Sequence, residues 1–161
     1  MDKNEEKILV SAYSYSGETR DMAKIISKTV GGDFKAIIPK KAYPESYTKA
    51  LERSEIEIKI EKEPKLKDPV DISQYDTIFI GSPNWFKTIA PPVRTFLNQN
   101  DFTGKKVVPF ATHGGGGEPK CLADIAELAK GADIIEGFSL NRDKISLTNI
   151  KKCLKKIGFL K

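Results

Sequence analysis

The stretch from Asp76 to Gly81 most constrains the fold, because Ile78, Phe79 and Ile80 are consecutive in a segment of strand length. Successive side chains of a strand point to opposite faces of a sheet, so three adjacent apolar residues bury both faces. A strand that is covered on both faces belongs to a parallel sheet lying between helices. A chain of 161 residues is long enough to bury such a core in one domain.

Segments of the same kind alternate with helical sequence along the chain. We predict further strands from Ile8 and at 33–39, 105–112 and 133–140. Apolar residues recur at helical spacing in 19–30, from 47, from 91, in 121–129 and in 148–157. Residues 55–61 alternate as a strand would beside helical neighbours, and both interpretations stay open. The alternation predicts one α/β domain over 1–161, with a doubly wound, five-stranded parallel sheet and helices on both faces.

The composition excludes a disordered chain, since 39% of the residues are hydrophobic and 30% are charged. No apolar run reaches the roughly 20 residues that a membrane-spanning helix needs, so we expect no transmembrane segment. Residues 1–7 are charged, unlike a signal peptide, and we expect 1–6 to be loosely ordered. Cys121 and Cys153 lie far apart without metal-site spacing, which predicts buried thiols, no metal and a cytoplasmic location.

The net charge of +5 comes from the end of the chain, where residues 142–161 hold seven Lys or Arg and one Asp. We expect a basic helix over 148–158. Such a helix can bind an acidic protein, an anionic membrane surface or nucleic acid. It can equally be the solvated face of a surface helix, and the sequence leaves these alternatives open.

The turn after the first strand is rich in hydroxyl groups. Ser14, Ser16 and Thr19 surround Gly17, which lets the backbone curl, and a helix follows. The unpaired N–H groups at the start of that helix point back at the turn, with the positive end of the helix dipole behind them. This combination suits a phosphate group. No P-loop lysine and no Gly-x-Gly-x-x-Gly pattern is present, and an ordinary strand-to-helix turn would use the same residue types.

Two more loops share that edge, because the strands of a parallel sheet all point one way. The loop at 82–87 contains the only tryptophan, Trp85, and the loop at 112–117 is nearly all glycine. An aromatic ring can stack on a flat ligand, and glycines let the backbone approach its polar edge. Singly, Trp85 and Phe86 would fit a core plug, and the glycines a plain surface loop. Together the three loops describe a ligand with a phosphate at one end and a planar ring at the other, such as flavin mononucleotide (FMN).

Three motifs in this order resemble the flavodoxin family over residues 7–158. They are Ser14 to Thr19 followed by Ala23, then 81–86 continued in 91–97, then 102–106 continued in 109–115. The resemblance implies the strand order 2-1-3-4-5 and FMN as the cofactor. Glu18 departs from the Asn or Thr that is usual in the family, and it places a negative charge near the phosphate.

The resemblance also assigns cofactor contacts by position. The phosphate contacts would be Ser14, Ser16, Gly17, Glu18 and Thr19. The residues beside the isoalloxazine ring would be Pro83, Asn84, Trp85, Phe86 and Lys87. The residues at the other edge of the ring would be Thr112, His113, Gly114, Gly115 and Gly116. We expect no catalytic acid–base side chain, because a flavin carries the redox chemistry itself. His113, the only histidine, would then be a conformational or hydrogen-bonding residue, with catalysis as the alternative.

The resemblance implies an electron-transfer protein or FMN-dependent oxidoreductase that cycles its cofactor between oxidised and reduced states. The electrons would pass to a redox partner protein or to a small acceptor such as a quinone. The alternative is a non-redox regulatory or interaction module on the same fold, which would use the basic helix to bind an acidic partner or a membrane surface. Nucleic acid is the partner that we least expect.

Overall fold

The computed structural model describes residues 6–114 and 120–161 as a parallel sheet between two layers of helices. The strands are β1 (Ile8–Ala12), β2 (Asp33–Ala36), β3 (Thr77–Pro83), β4 (Lys106–His113), β5 (Asp133–Ile134) and β6 (Phe138–Asn141). They pair in the order β2-β1-β3-β4-β5, with β6 also beside β4, and every pair is parallel. This confirms the predicted fold class and strand order.

The helices cover both faces of the sheet, because its central strands are apolar on both sides. They are α1 (Glu18–Val30), α2 (Tyr47–Lys59), α3 (Pro91–Gln99), α4 (Cys121–Leu128) and α5 (Leu147–Lys156), and a 3₁₀ turn spans Arg142–Lys144. In β3, Ile78 and Ile80 pack into one core with α3 and α4. Phe79 points to the opposite core, which α1 and α5 cover. Adjacent residues of one strand therefore belong to two separate cores, as the opening motif predicts.

The fifth strand is broken, although the sequence predicted a single strand over 133–140. The carbonyl of Val107 in β4 accepts a bond from the N–H of Ile135 at 2.9 Å. The two-residue period of a strand turns Pro109 toward the same neighbour, and proline has no N–H with which to continue the ladder. Gly137 passes so close that a Cβ there would lie 2.1 Å from the Pro109 carbonyl oxygen. Pairing then resumes in β6.

Residues 55–61, left open between strand and helix, continue α2 as far as Lys59. The helix begins after Ser46, whose hydroxyl accepts a bond from the N–H of Lys49. Its buried face carries Glu57, which accepts hydrogen bonds from the Tyr43 hydroxyl and from Arg53. The alternating isoleucines are partly on the outer face, where Ile56 is exposed. The bond from Tyr43, outside the helix, and the i,i+4 bond from Arg53, within it, both favour the helix over the local alternation.

The ends of the described chain are packed against the sheet. Glu6 accepts a hydrogen bond from the Thr77 hydroxyl at 2.6 Å and pairs with Lys106 at 3.6 Å, while residues 1–5 of the predicted loose terminus lie outside the described residues. The basic helix predicted at 148–158 is α5, which buries Ile150 and Leu154. Across 6–114 and 120–161, no helix is both long and apolar enough to cross a bilayer.

The two cysteines differ in accessibility, and their alkylation should differ accordingly. Burial raises the pKa of Cys121 to about 12, and its thiol donates to the Thr88 carbonyl at 3.2 Å. Burial also raises the pKa of Cys153, which is only half-buried. Because the thiolate is the reactive form, Ellman's reagent at pH 8 should modify Cys153 first and reach Cys121 only after unfolding in guanidinium. Equal rates in the native protein would contradict this assignment.

Candidate functional site

The turn between β1 and α1 is shaped to present N–H groups. Gly17, directly before the helix, has φ +106°, a backbone conformation that favours glycine. Its own N–H donates to the Ser14 hydroxyl oxygen at 3.0 Å, which closes the turn. The first N–H groups of α1 have no partner within the helix, and among the described residues no side chain caps them. These donors and the helix dipole together suit an anion.

A cavity of about 160 Å³ opens between this turn and the carboxyl ends of β3 and β4. A buried hydrogen bond of 2.7 Å joins the hydroxyl oxygens of Thr19 and Thr112 across its floor, so the first turn of α1 is tied to the end of β4. The N–H of Asn84 donates to the Thr112 carbonyl at 2.9 Å and brings the next loop to the same place. The three predicted loops therefore converge, the third as far as its described residues 112–114.

Two opposite charges line this cavity. Glu18 is half-buried, and its carboxylate accepts a hydrogen bond from the Ser16 hydroxyl, so it remains beside the turn. Arg142 reaches the cavity from the 3₁₀ turn after β6. A Cβ added to Gly114 would lie 3.6 Å from its guanidinium carbon, which places that cation against the loop after β4. Because the positive charge of Arg142 offsets the negative charge of Glu18, the cavity lining as a whole does not repel an anion.

The loop after β3 contains a strained turn. Trp85 and Thr88 exchange backbone N–H bonds of 3.0 Å each, and the two residues between them, Phe86 and Lys87, have φ of +54° and +67°. Turns of this type favour Asn and Gly, and a bulky residue with positive φ is an outlier. In this turn the Phe86 side chain is 46% exposed. Strained, exposed aromatic residues are candidates for ligand contact.

Trp85 itself lies inward, with 5% of its surface exposed. Its ring makes edge-on contacts with Tyr13, Tyr15 and Tyr43 at centroid distances of 5.6, 5.9 and 5.2 Å. These contacts make Trp85 part of the core, as in the alternative prediction that it plugs the core instead of stacking on a ligand. One edge of Trp85 still lines the cavity, and the exposed ring of the loop is Phe86.

The structure places the fifteen predicted contact residues in four groups. Nine line the small cavity, namely Ser16, Glu18, Thr19, Pro83, Asn84, Trp85, Thr112, His113 and Gly114. Ser14 and Gly17 face a second cavity on the other side of the turn, which Ser16 also lines. Phe86 and Lys87 line neither cavity. Gly115 and Gly116 lie outside the described residues.

Three residues of the small cavity were missed by the sequence reasoning. Arg142 counted only as part of the basic terminus, because nothing local places it beside the turn. Tyr15 was passed over among the hydroxyl residues, although its ring contacts Tyr47 at 6.0 Å. Tyr47 begins α2 and is exposed at the mouth of the cavity. Predicting that Arg142 lines the cavity would have required the register of β6 against β4.

Comparison with known proteins agrees with this arrangement. The sequence profile of a flavodoxin family, described as Flavodoxin, matches residues 7–157. The chain belongs to the flavodoxin family. As expected for a member, its uncapped helix, its aromatic loop and the described start of its glycine loop, Thr112 to Gly114, meet at one edge of the sheet.

Individual relatives cover nearly the same part of this flavodoxin-family chain. A candidate flavoprotein from Bacteroides uniformis ATCC 8492 is 31% identical, with a TM-score of 0.83 over 93% of this chain and 98% of that one. A flavoprotein from Lactobacillus acidophilus NCFM, crystallised in complex with FMN, is 28% identical, with a TM-score of 0.72 over 92% of this chain and 99% of that one.

A curated relative from Rhizobium rhizogenes (strain K84) is an NAD(P)H dehydrogenase (quinone). It is 29% identical over an alignment of 135 positions, and the alignment covers 76% of this chain. This chain spans 65% of the length of that relative. Among residues 6–114 and 120–161, no three His, Cys, Asp or Glu side chains are grouped so as to bind a metal ion.

Proposed function

We propose that this chain binds FMN at the small cavity and acts as an electron-transferring oxidoreductase. The observation that carries the proposal is the uncapped start of α1, which opens on a cavity shared with the loops after β3 and β4. The phosphate would lie against the N–H groups after Gly17. Family membership and the FMN-bound relative from Lactobacillus acidophilus support FMN as the cofactor.

The side chains present fit the phosphate end of such a ligand. The cavity offers the Thr19 and Thr112 hydroxyls, and Arg142 faces the negative charge. The isoalloxazine ring would then lie toward Asn84 and the tyrosines at the cavity mouth. Bound FMN would supply the electron exchange, while this chain orients the ring and limits its contact with water.

The proposal also names the electron acceptor. We propose a quinone or a redox partner protein, because the Rhizobium rhizogenes relative is a quinone-acting dehydrogenase. The exposed Phe86 and Tyr47 near the cavity offer an apolar approach for a flat acceptor. A cytoplasmic location remains part of the proposal.

Absorbance spectroscopy tests the proposed function directly. The purified protein should be yellow, or should become so when FMN is added, and dithionite should bleach the flavin bands. Re-oxidation by an added naphthoquinone, compared with buffer alone, then tests the acceptor. A colourless protein that does not quench the fluorescence of added FMN would overturn the proposal.

Replacing Glu18 with glutamine should tighten FMN binding about three- to tenfold, because it removes a carboxylate beside the phosphate turn while keeping its shape. Binding of riboflavin, which lacks the phosphate, should not change. Asp21→Asn is the matched control, since Asp21 lies in the same helical turn but outside the cavity. Equal effects of the two variants would show that the Glu18 carboxylate acts only through the net charge of the helix start and not through its place beside the phosphate.

Replacing Arg142 with glutamine should weaken FMN binding about five- to tenfold and leave riboflavin binding unchanged. Lys144→Gln removes an exposed charge from the same 3₁₀ turn and serves as the control. Fluorescence titrations at two salt concentrations measure both effects, and the Arg142 effect should shrink at high salt. An equal loss of riboflavin binding would place Arg142 at the ring instead.

The alternative of a non-redox interaction module is supported by one observation. Lys151, Lys152, Lys155 and Lys156 are all exposed on α5, opposite its buried stripe. The same arrangement is typical of a solvated amphipathic helix. Salt-sensitive binding to anionic vesicles or to an acidic protein, unaffected by FMN, would support the alternative over the redox function.

A further inference from the structure

The strained turn in the loop after β3 is held by contacts from outside that loop. Phe86 and Lys87 have positive φ, and a bulky residue keeps such a conformation only where its surroundings enforce it. The backbone bonds between Trp85 and Thr88 close the turn. The same pair of bonds closes turns made of Asn and Gly, so it does not explain why two bulky residues adopt this conformation.

Three hydrogen bonds join this turn to the start of α4. The N–H of Lys120, directly before the helix, donates to the Lys87 carbonyl at 3.1 Å. The Cys121 thiol donates to the Thr88 carbonyl at 3.2 Å. The Thr88 hydroxyl donates to the Asp124 carboxylate. These bonds fix the backbone of the turn and the side chain of its last residue.

The first turn of α4 is a firm support for the loop. Cys121 and Ile125 are fully buried in the core. Asp124 follows Cys121 by three residues, so both lie on the side of the helix that meets the loop. A hydroxyl bond to a carboxylate is stronger than one to a neutral acceptor. The bond from Thr88 to Asp124 is therefore the strongest of the three, and both of its side chains are only half-buried.

The loop lies over the sulfur of Cys121. Besides the Thr88 carbonyl oxygen, Sγ lies 3.8 Å from the Pro83 carbonyl oxygen and 3.9 Å from Asn84 Oδ1. Cys121 has no exposed surface in this arrangement. Opening of the loop would uncover the thiol, so the reactivity of Cys121 reports the position of the loop whether or not a flavin is bound.

We propose that Asp124 is a positioning residue, which acts through Thr88 to hold the loop after β3 in the conformation that receives the isoalloxazine ring. The inference rests on the proposed FMN site, because Pro83, Asn84 and Trp85 of this loop line the small cavity. Neither Thr88 nor Asp124 lines that cavity, so neither would touch the flavin there. A loop that is held before its ligand arrives loses less entropy on binding. Without the Asp124 bond the turn would relax, and the affinity for the flavin ring would fall.

A different role for Asp124 predicts different results. A carboxylate in the first turn of a helix also stabilises that helix through its dipole. In that role Asp124→Asn would be as harmful as Asp124→Ala, and Thr88 would not matter. In the positioning role the amide oxygen of asparagine still accepts from the Thr88 hydroxyl and retains most of the effect.

Fluorescence titrations with FMN and riboflavin test the effect on the ring. Asp124→Ala and Thr88→Val should each weaken both flavins about fivefold. The double variant should also lose about fivefold and not the product of the two losses, because each substitution removes the same bond. Asp124→Asn should lose less than about twofold. Glu127→Ala, which removes an exposed carboxylate from the same helix, is the control and should change neither affinity.

Alkylation of Cys121 in the flavin-free protein tests the position of the loop. Iodoacetamide is added at pH 8, and peptide mass spectrometry identifies the modified cysteine. Asp124→Ala and Thr88→Val should speed the modification of Cys121 at least about tenfold, whereas Asp124→Asn and Glu127→Ala should not. Thermal melts confirm that each variant is folded at the temperature of the assay.

The positioning role is refuted if Asp124→Ala leaves flavin affinity unchanged, if the losses from Asp124→Ala and Thr88→Val add, or if Asp124→Asn loses as much as Asp124→Ala. Cys121 rates that are equal in the parent and in Asp124→Ala would refute the bracing of the loop itself. A parent protein that binds no flavin would instead refute the proposed function. Because the alkylation needs no flavin, the two failures can be told apart.

Discussion

Replacing Gly17 with alanine is expected to weaken FMN binding about a hundredfold while riboflavin binding changes less than about threefold. Gly17 has φ +106° and stands directly before α1, where its N–H bond to Ser14 closes the turn. A residue with a Cβ is strained in that conformation, so the turn would open and the N–H groups of the first helical turn would point elsewhere. Fluorescence titration with both flavins measures the difference, because only FMN carries the phosphate.

Gly31→Ala is the matched control for Gly17→Ala. Gly31 ends the same helix with φ +75°, and no atom lies within 4 Å of its Cβ position, so the substitution introduces backbone strain without a clash. It should lower stability by about 1 kcal/mol and leave FMN affinity unchanged, because it lies at the far end of α1 from the turn. Similar losses of FMN affinity in both variants would show that the effect arises from helix stability and not from the phosphate turn.

The fold class was predictable because a few adjacent apolar residues decide it. Ile78, Phe79 and Ile80 require burial on both faces of their strand, and a parallel sheet between helices provides it. The break in the fifth strand was not predictable in the same way. Pro109 is visible in the sequence, but its missing N–H matters only once the register of β4 against its neighbour is known. The helical continuation of α2 likewise depends on burial of Glu57 against Tyr43, which lies outside the helix.

The candidate site was predictable to the extent that it consists of loops at the ends of strands. Local sequence identifies a hydroxyl-rich turn, an aromatic loop and a glycine loop, and parallel strands bring them to one edge. Arg142 was not predictable, because it reaches the cavity through the pairing of Asn141 with His113 across β6 and β4.

Replacing Trp85 with alanine should destabilise the protein by about 3–5 kcal/mol, because the indole is 5% exposed and packs edge-on against three tyrosines. A chain of this size should then melt about 10 °C lower. Trp85→Phe keeps an aromatic ring among the tyrosines and should cost less than half as much. Thermal unfolding followed by circular dichroism, without added flavin, measures these stabilities independently of any ligand.

Phe86→Ala separates the core role of Trp85 from contact with the flavin. Phe86 is 46% exposed, and alanine is also disfavoured at its φ of +54°, so this substitution should change stability by less than about 0.5 kcal/mol. If the exposed ring of the loop contacts the isoalloxazine, Phe86→Ala should weaken FMN and riboflavin equally, by about fivefold. A Trp85→Ala variant that melts within 2 °C of the parent, at a resolution of about 0.5 °C, yet no longer binds riboflavin would reverse the two assignments. Trp85 would then be the ring-stacking residue, and Phe86 would have no part in binding the flavin.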